Sequence, residues 1–310
     1  MTPSRVALGL VGAGRLAEVG YLPAARLARR ARIVAIADPD PDRRARLGAG
    51  EVPAHPTTEE LLAAGGLDGI VIASPPVAHE DGARLAAAAG LPALVEKPPA
   101  PDVAGARRIA ALEPAPRIGF NRRFSLGREL AGSVAGSGSI ELEITYRRFS
   151  WSPVMVRDPA VLDLAPHLVD LAFRAGIGRV RGVTATSERP ERVSIAIEGT
   201  AARARITCAT DRAYRERVVV RDAGGRVTFR RREGGLVGGA VSRVRRGPHP
   251  LVGSLAAQLD AFAASCAGES APDLATAADG VAVMAVIANA AESLAHGGQQ
   301  VRPREHEVTA

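Results

Sequence analysis

The run Val6-Ala7-Leu8-Gly9-Leu10-Val11 is apolar without a break and leads at once into Gly12-Ala13-Gly14-Arg15-Leu16-Ala17. A strand with no polar face has to be covered on both sides, as the internal strands of a parallel sheet are. The two glycines after it permit a tight turn and a close backbone approach, and a helical pattern continues from there to about Ala31. Ile33-Val34-Ala35-Ile36-Ala37 reads as a second buried strand and ends at Asp38. Strand, G-x-G-x-x-A turn, helix, strand and acid together make the βαβ unit that sets a pyrophosphate on a helix N-terminus and a carboxylate beside a ribose. A nicotinamide dinucleotide is therefore expected, with Gly12, Ala13, Gly14, Arg15 and Leu16 around its phosphates and Asp38 accepting both ribose hydroxyls. A carboxylate at position 38 repels a 2′-phosphate and favours NAD, while Arg43 and Arg44 nearby leave NADP open.

The same alternation runs on through the first 120 residues. Strands are expected at 69–73, 93–95 and 117–120, with helices from Pro41, near 58–64, over 78–89 and over 102–112. This is the pattern of a doubly wound parallel sheet, an N-terminal Rossmann domain spanning residues 1–120. Ala73-Ser74-Pro75-Pro76 leaves the end of one such strand, where ligands collect in these sheets, so Ser74 and Pro75 are expected to line the cofactor cleft. His79 reads as a packing residue at a helix start. Beyond Asn121 the texture changes to a series of strands with period-2 patterning, at 140–149, 180–187, 192–197, 201–208, 216–221 and 226–229. Helices are expected over 159–175, 251–267 and 276–296. Residues 121–310 are thus expected to form an α+β domain with an open, mostly antiparallel sheet, and the Gly- and Arg-rich stretch 234–250 a surface loop.

Composition narrows the partners. The 310 residues are 46% hydrophobic and 24% charged, which is an ordinary globular balance with length for two domains. The net charge of +7 raises the question of nucleic acid, but the arginines are scattered among acids, and 3% aromatics leaves few platforms for stacking bases. No nucleic-acid partner is expected. No apolar run approaches a membrane span, and Met1-Thr2-Pro3-Ser4-Arg5 leads into a strand rather than a signal peptide, so a cytoplasmic chain off the membrane is expected. Cys208 and Cys266 have neither metal-ligand nor disulfide-framework spacing and read as reduced core residues, with no metal site.

Against this background one residue stands out. Lys97, in Glu96-Lys97-Pro98, is the only lysine, and the other 39 of the 40 basic residues are arginine. On a solvated surface the two side chains are nearly equivalent. At a site that needs a compact ammonium they are not, because guanidinium is planar, bulky and permanently charged. Lys97 is therefore the first candidate for chemistry. The second is the pair Asp163 and His167, four residues apart and so on one face if a single helix carries both. Pro166 fits such a helix only in its first turn. A carboxylate beside an imidazole fixes its tautomer and raises its basicity, as a general base removing an alcohol proton requires.

Gly12 to Ala17, Asp38, Ala73-Ser74-Pro75-Pro76, Glu96-Lys97-Pro98, Gly119-Phe120-Asn121-Arg122-Arg123-Phe124 and Asp163 to Asp170 follow one another as they do in the glucose-fructose oxidoreductase / inositol dehydrogenase (Gfo/Idh/MocA) family, which the chain resembles over nearly its whole length. The resemblance implies a two-domain oxidoreductase, with dimer or tetramer contacts through the C-terminal sheet. It implies that Lys97, Asp163 and His167 face the nicotinamide: His167 moves the hydroxyl proton, Lys97 polarises that oxygen, and Asp163 orients the pair. It also puts Glu96, Lys97, Asn121 and Arg122 among the cofactor-binding residues. The substrate it implies is a secondary alcohol or ketone of a sugar, cyclitol or sugar-like metabolite. The family's usual glycines before the aspartate, and between it and the histidine, are replaced here by Asp158-Pro159-Ala160-Val161-Leu162 and Ala165-Pro166, which implies a tighter pocket. Two other functions remain open on the same fold: a non-catalytic dinucleotide-binding sensor, and a lyase or glycoside hydrolase that oxidises, eliminates and reduces again with no net cofactor turnover.

Overall fold

A computed structural model describes residues 5–47, 52–134, 138–147, 159–234 and 250–303. The chain begins with β1 (Val6–Val11), a π-helical turn (Ala17–Tyr21), α1 (Leu22–Leu27), β2 (Ala31–Ala37), α2 (Pro41–Leu47), β3 (Ala54–His55), α3 (Thr58–Ala63) and β4 (Gly69–Ile72). It continues with α4 (His79–Ala88), β5 (Ala93–Glu96), α5 (Val103–Ala110), β6 (Arg117–Gly119) and α6 (Gly127–Leu130). Then come β7 (Ser139–Arg147), α7 (Ala160–Asp163), α8 (Ala165–Ala175), β8 (Val180–Arg189), β9 (Arg192–Gly199), β10 (Arg203–Ala209), β11 (Asp211–Arg221) and β12 (Val227–Gly234). The last elements are α9 (Pro250–Cys266), β13 (Ala275–Thr276) and α10 (Ala277–Ala295). Two compact units result, Met1–Ser125 with Pro248–Val281, and Leu126–Gly247 with Ala282–Ala310.

The first unit holds a seven-stranded sheet in the order β13-β6-β5-β4-β1-β2-β3, parallel throughout except for β13. This is a Rossmann sheet, with its switch point between β1 and β4 where the winding reverses. The unbroken apolar pattern of β1 has its physical reason in the neighbours on both sides: Leu8 and Leu10 are fully buried in a cluster with Tyr21, Ala24, Ile36 and Val71. The same cluster takes in Leu255, Leu259 and Phe262 of α9. That helix lies far along the chain, yet its apolar stripe covers this sheet, and α9 belongs by contact with residues 1–125. β13 then adds an antiparallel edge strand to β6.

The second unit is built on a six-stranded sheet ordered β12-β11-β7-β10-β9-β8. Every pairing is antiparallel except β7 with β10. Its strands alternate as expected. Ile140, Leu142 and Ile144 point to the buried face with Ile206 and Ile195, against which α8 packs, while Glu141, Glu143, Arg205 and Arg217 point the other way. The strands largely fall where the period-2 pattern puts them, β11 and β12 reaching further than expected. The single helix expected over 159–175 is in fact two, α7 and α8, with a break at Leu164. Pro166 is the cause: it sits in the first turn of α8, where its missing N–H costs nothing, and so a new helix starts there.

One helix departs from the expected absence of long apolar segments. α10 has a mean hydropathy of 1.3 and is long enough to cross a membrane, but 61% of that window is buried inside the fold, the pattern of a core helix. Both cysteines are free thiols. Cys266 is pushed up to about 12 by burial and by the neighbouring Asp68 charge, which makes it a poor nucleophile. The stretch 235–249 lies outside the described residues.

Candidate functional site

The carboxyl ends of β1, β2, β4, β5 and β6 lie along one edge of the parallel sheet, and each delivers a residue singled out by sequence. At the end of β1, Gly12 takes a φ of 100°. A Cβ there would lie 2.7 Å from the Ala73 carbonyl and the Ser74 nitrogen, so the turn is pressed against the end of β4 and only glycine fits. Gly14 is different, because a Cβ on it would meet nothing within 4 Å. The space beside Gly14 is open for a ligand backbone to approach, as a pyrophosphate requires. The exposed Arg15 follows it.

At the end of β2, Asp38 is buried, and its carboxylate holds the turn together. Oδ2 accepts the Ala13 N–H at 2.7 Å, and Oδ1 accepts the Asp40 N–H at 2.9 Å. Each oxygen keeps a lone pair for a ribose hydroxyl. The role that sequence reasoning missed is the first one, shaping the glycine turn itself. Of the two arginines nearby, Arg44 donates to the carbonyls of Asp38 and Pro39 at 2.8 and 3.0 Å. Arg43 pairs with Asp40 at 3.3 Å and stands 3.9 Å from Asp38.

Beyond β4, the Ser74 hydroxyl is buried with no hydrogen-bond partner among the described residues. An orphaned buried hydroxyl beside the open space at a switch point fits a bound dinucleotide, whose polar groups would complete it. Pro75 next to it is exposed. His79, at the start of α4, does more than pack: Nε2 lies 2.8 Å from the Ser74 carbonyl, and Nδ1 lies 3.1 and 3.2 Å from those of Pro98 and Pro99. The ring lies between the loop after β4 and the loop after β5. Burial, with help from the Lys97 charge, holds it below the usual histidine range, so the neutral ring donates to one loop at a time.

β5 ends in Glu96 and the half-buried Lys97. Glu96 is enclosed and pushed up by burial, and the push is opposed by the Tyr21 hydrogen bond and by Lys97. Its Oε1 accepts the Tyr21 hydroxyl, its Oε2 accepts the Lys97 backbone N–H at 3.1 Å, and Gln258 of α9 donates to the Tyr21 oxygen at 3.1 Å. Neither Tyr21 nor Gln258 was predicted. No local signal marks them, since they sit 75 and 162 positions from Glu96 in the chain. After β6, the Asn121 amide is spent on Ser254 of α9 at 2.9 Å, which anchors that helix, and Arg122 is half-buried. The buried Arg123 pairs with Asp279 at 3.2 Å.

In the second unit, Asp163 ends α7 and His167 lies in the first turn of α8. The two are therefore not on one continuous helical face, which corrects the reading from spacing. His167 is buried, and Asp163 accepts a hydrogen bond from the hydroxyl of Tyr146 on β7. Tyr146 is another partner that spacing could not disclose.

Residues 6–115 match the sequence profile of the oxidoreductase family with an NAD-binding Rossmann fold. Over that stretch, about a third of the chain, it is similar to the Gfo/Idh/MocA family. It is 32% identical to inositol 2-dehydrogenase of Streptomyces avermitilis over 194 residues, 59% of this chain and 57% of that one. It is 37% identical over 125 residues to the rhizopine catabolism protein MocA of Rhizobium meliloti, 39% of each. The chain thus spans about half the length, or less, of these relatives. The crystal structure of myo-inositol dehydrogenase from Lactobacillus casei in complex with NAD(H) and myo-inositol superposes with a TM-score of 0.77, over 97% of both chains at 16% identity. That likeness is one of fold alone.

Asp38→Asn puts an amide donor where an acceptor is needed by either Ala13 or Asp40. An unpaired buried N–H costs about 1–3 kcal/mol. We expect NAD affinity to fall about tenfold in calorimetric titration, a loss of about 1.4 kcal/mol, together with a lower midpoint in urea.

Proposed function

We propose that this chain is an NAD-dependent dehydrogenase that passes hydride between nicotinamide and the carbinol carbon of a cyclitol or closely related sugar-like alcohol. The observation that carries this reading is the sheet order β5-β4-β1-β2. It puts Asp38 one strand to one side of the glycine turn and Lys97 two strands to the other, about 10 Å away at ordinary strand spacing. Gly12 to Leu16 and Asp38 would hold the pyrophosphate and adenosine ribose of a dinucleotide, and Lys97 would lie on the side left for its nicotinamide. When bound, the cofactor supplies the hydride acceptor. The identity to inositol 2-dehydrogenase supports a cyclitol as the alcohol.

In this reading the Lys97 ammonium stabilises charge developing on the substrate oxygen, and His167 takes the hydroxyl proton. Asp163, held by Tyr146, orients the imidazole and the substrate. NAD is favoured over NADP because a 2′-phosphate would meet the Asp38 carboxylate, and Arg43 is already engaged by Asp40 and Asp38. We propose further that the protein works in the cytoplasm as a dimer or tetramer joined through the open face of the second sheet. That face carries Glu141 with Arg217 and Arg221, and Glu143 with Arg215, rows of both signs that a two-fold axis can match to themselves.

Two measurements test these readings. With myo-inositol and NAD, Lys97→Arg is expected to lose about 100-fold or more in kcat while NAD affinity stays within about threefold, because charge survives but compact geometry does not. Near-normal kcat in that variant removes Lys97 from the chemistry. Sedimentation velocity is expected to show a dimer or larger for the wild type, and a smaller species for Arg215→Glu/Arg217→Glu; a wild-type monomer rules the sheet interface out.

A further inference from the structure

The buried relay behind Lys97 is not used by the chemistry assigned above. The π-helical turn after the glycine motif closes with the Leu22 N–H on the Ala17 oxygen, five residues back. Such a turn carries an extra residue, and π segments are enriched at functional sites. Here it delivers Tyr21, fully enclosed, into the interior beneath β5. The enclosed Gln258 of α9 donates to the Tyr21 oxygen, the Tyr21 hydroxyl donates to Glu96 Oε1, and the Lys97 N–H donates to Glu96 Oε2. Two of these donors end on one carboxylate, and the third donates to the phenol that reaches it. β6 makes room for it: a Cβ on Gly119 would lie 2.9 Å from Glu96 Oε1.

A carboxylate buried this deeply is costly unless it is paired and hydrogen-bonded. Tyr21 is pushed well above the ordinary phenol range by burial first and by Glu96 second, so its proton stays on the oxygen and remains available to donate. The titratable and charged groups that face Glu96 are Tyr21, from the π turn, and Lys97, at the end of its own strand; His79 of α4 faces Lys97 in turn. α9 contributes the neutral Gln258, and β6 contributes a glycine.

We infer that Tyr21 and Gln258 are positioning residues for Lys97: their relay holds Glu96 as a buried anion, which fixes the Lys97 backbone at the end of β5 and places a negative charge behind its ammonium. The relay thereby links the helix that follows the nucleotide turn to the residue assigned to the reaction. The inference rests on the dehydrogenase reading for its effect on turnover, but not for its effect on Glu96.

Because Lys97 is the only lysine, the full chain labelled with [15N]lysine shows a single lysine backbone amide, the one that donates to Glu96. Its chemical shift against pH reports the ionisation of that carboxyl directly. In the wild type we expect a midpoint above the ordinary glutamate range, and in Glu96→Gln the disappearance of that titration. Tyr21→Phe, which removes one donor, should move the midpoint up by about one pH unit. The same variant should lower kcat for myo-inositol about tenfold, with the NAD dissociation constant changed less than about threefold. A purely packing role for Tyr21 leaves the midpoint where it was, and an unmoved midpoint overturns the proposal. If Tyr21→Phe does not fold, Gln258→Met carries the same test, with a smaller upward movement expected and an unmoved midpoint again decisive against it. Should the wild type turn over no cyclitol with NAD, the dehydrogenase reading fails, and the amide titration still decides whether the relay holds Glu96.

Discussion

The approach of Gly12 to the Ala73–Ser74 backbone governs the geometry of the first unit. With 2.7 Å between that backbone and any Cβ at position 12, β1 and β4 can meet at the switch point only through a glycine in a left-handed conformation. The turn this produces directs the next residues into a helix, leaves the space beside Gly14 open, and presents the Ala13 N–H to Asp38. A side chain at position 12 has to separate the two strand ends, and with them the Ser74 loop and the cleft it lines.

From that turn the structure passes to its buried charge. The π turn rotates Tyr21 inward, and Tyr21 meets Glu96 in a pocket that Gly119 keeps clear. Burial works against the Glu96 charge, while its hydrogen bonds and Lys97 work for it. The fold accepts an acid in its interior at the point where it needs the end of a strand held still. His79 adds a second restraint, its one N–H donating either to the Ser74 carbonyl or to the loop that follows Lys97. The strand end is thus held through one carboxylate, and the imidazole donates to one of the two loops that bound the cleft.

What could be read from sequence was what local chemistry dictates. The buried strands, the glycine turn and the acid after β2 show in runs of a few residues, because burial on both faces and positive φ leave direct marks on composition. Lys97 was singled out by its isolation among arginines, and its part in the reaction is the reading we propose. The partners that complete the site were not visible, because Tyr21, Gln258 and Tyr146 meet their carboxylates across long stretches of chain. Spacing placed Asp163 and His167 on one helical face, yet the first-turn requirement of Pro166 starts a new helix between them. The stripe on α9 marks a helix with one buried side but does not say which sheet it covers, and the packing of Leu255, Leu259 and Phe262 on the first sheet is long-range information. The parallel pairing of β7 with β10 is likewise settled by order in space rather than by pattern.

The reaction we propose is direct hydride transfer from a carbinol carbon to a nicotinamide held along the edge of the first sheet. The most direct test is to incubate the protein with NAD and myo-inositol deuterated at its ring carbons, and to weigh the nicotinamide product. The reduced cofactor is expected to carry deuterium from the substrate. Deuterium released to water while NAD remains oxidised would contradict it.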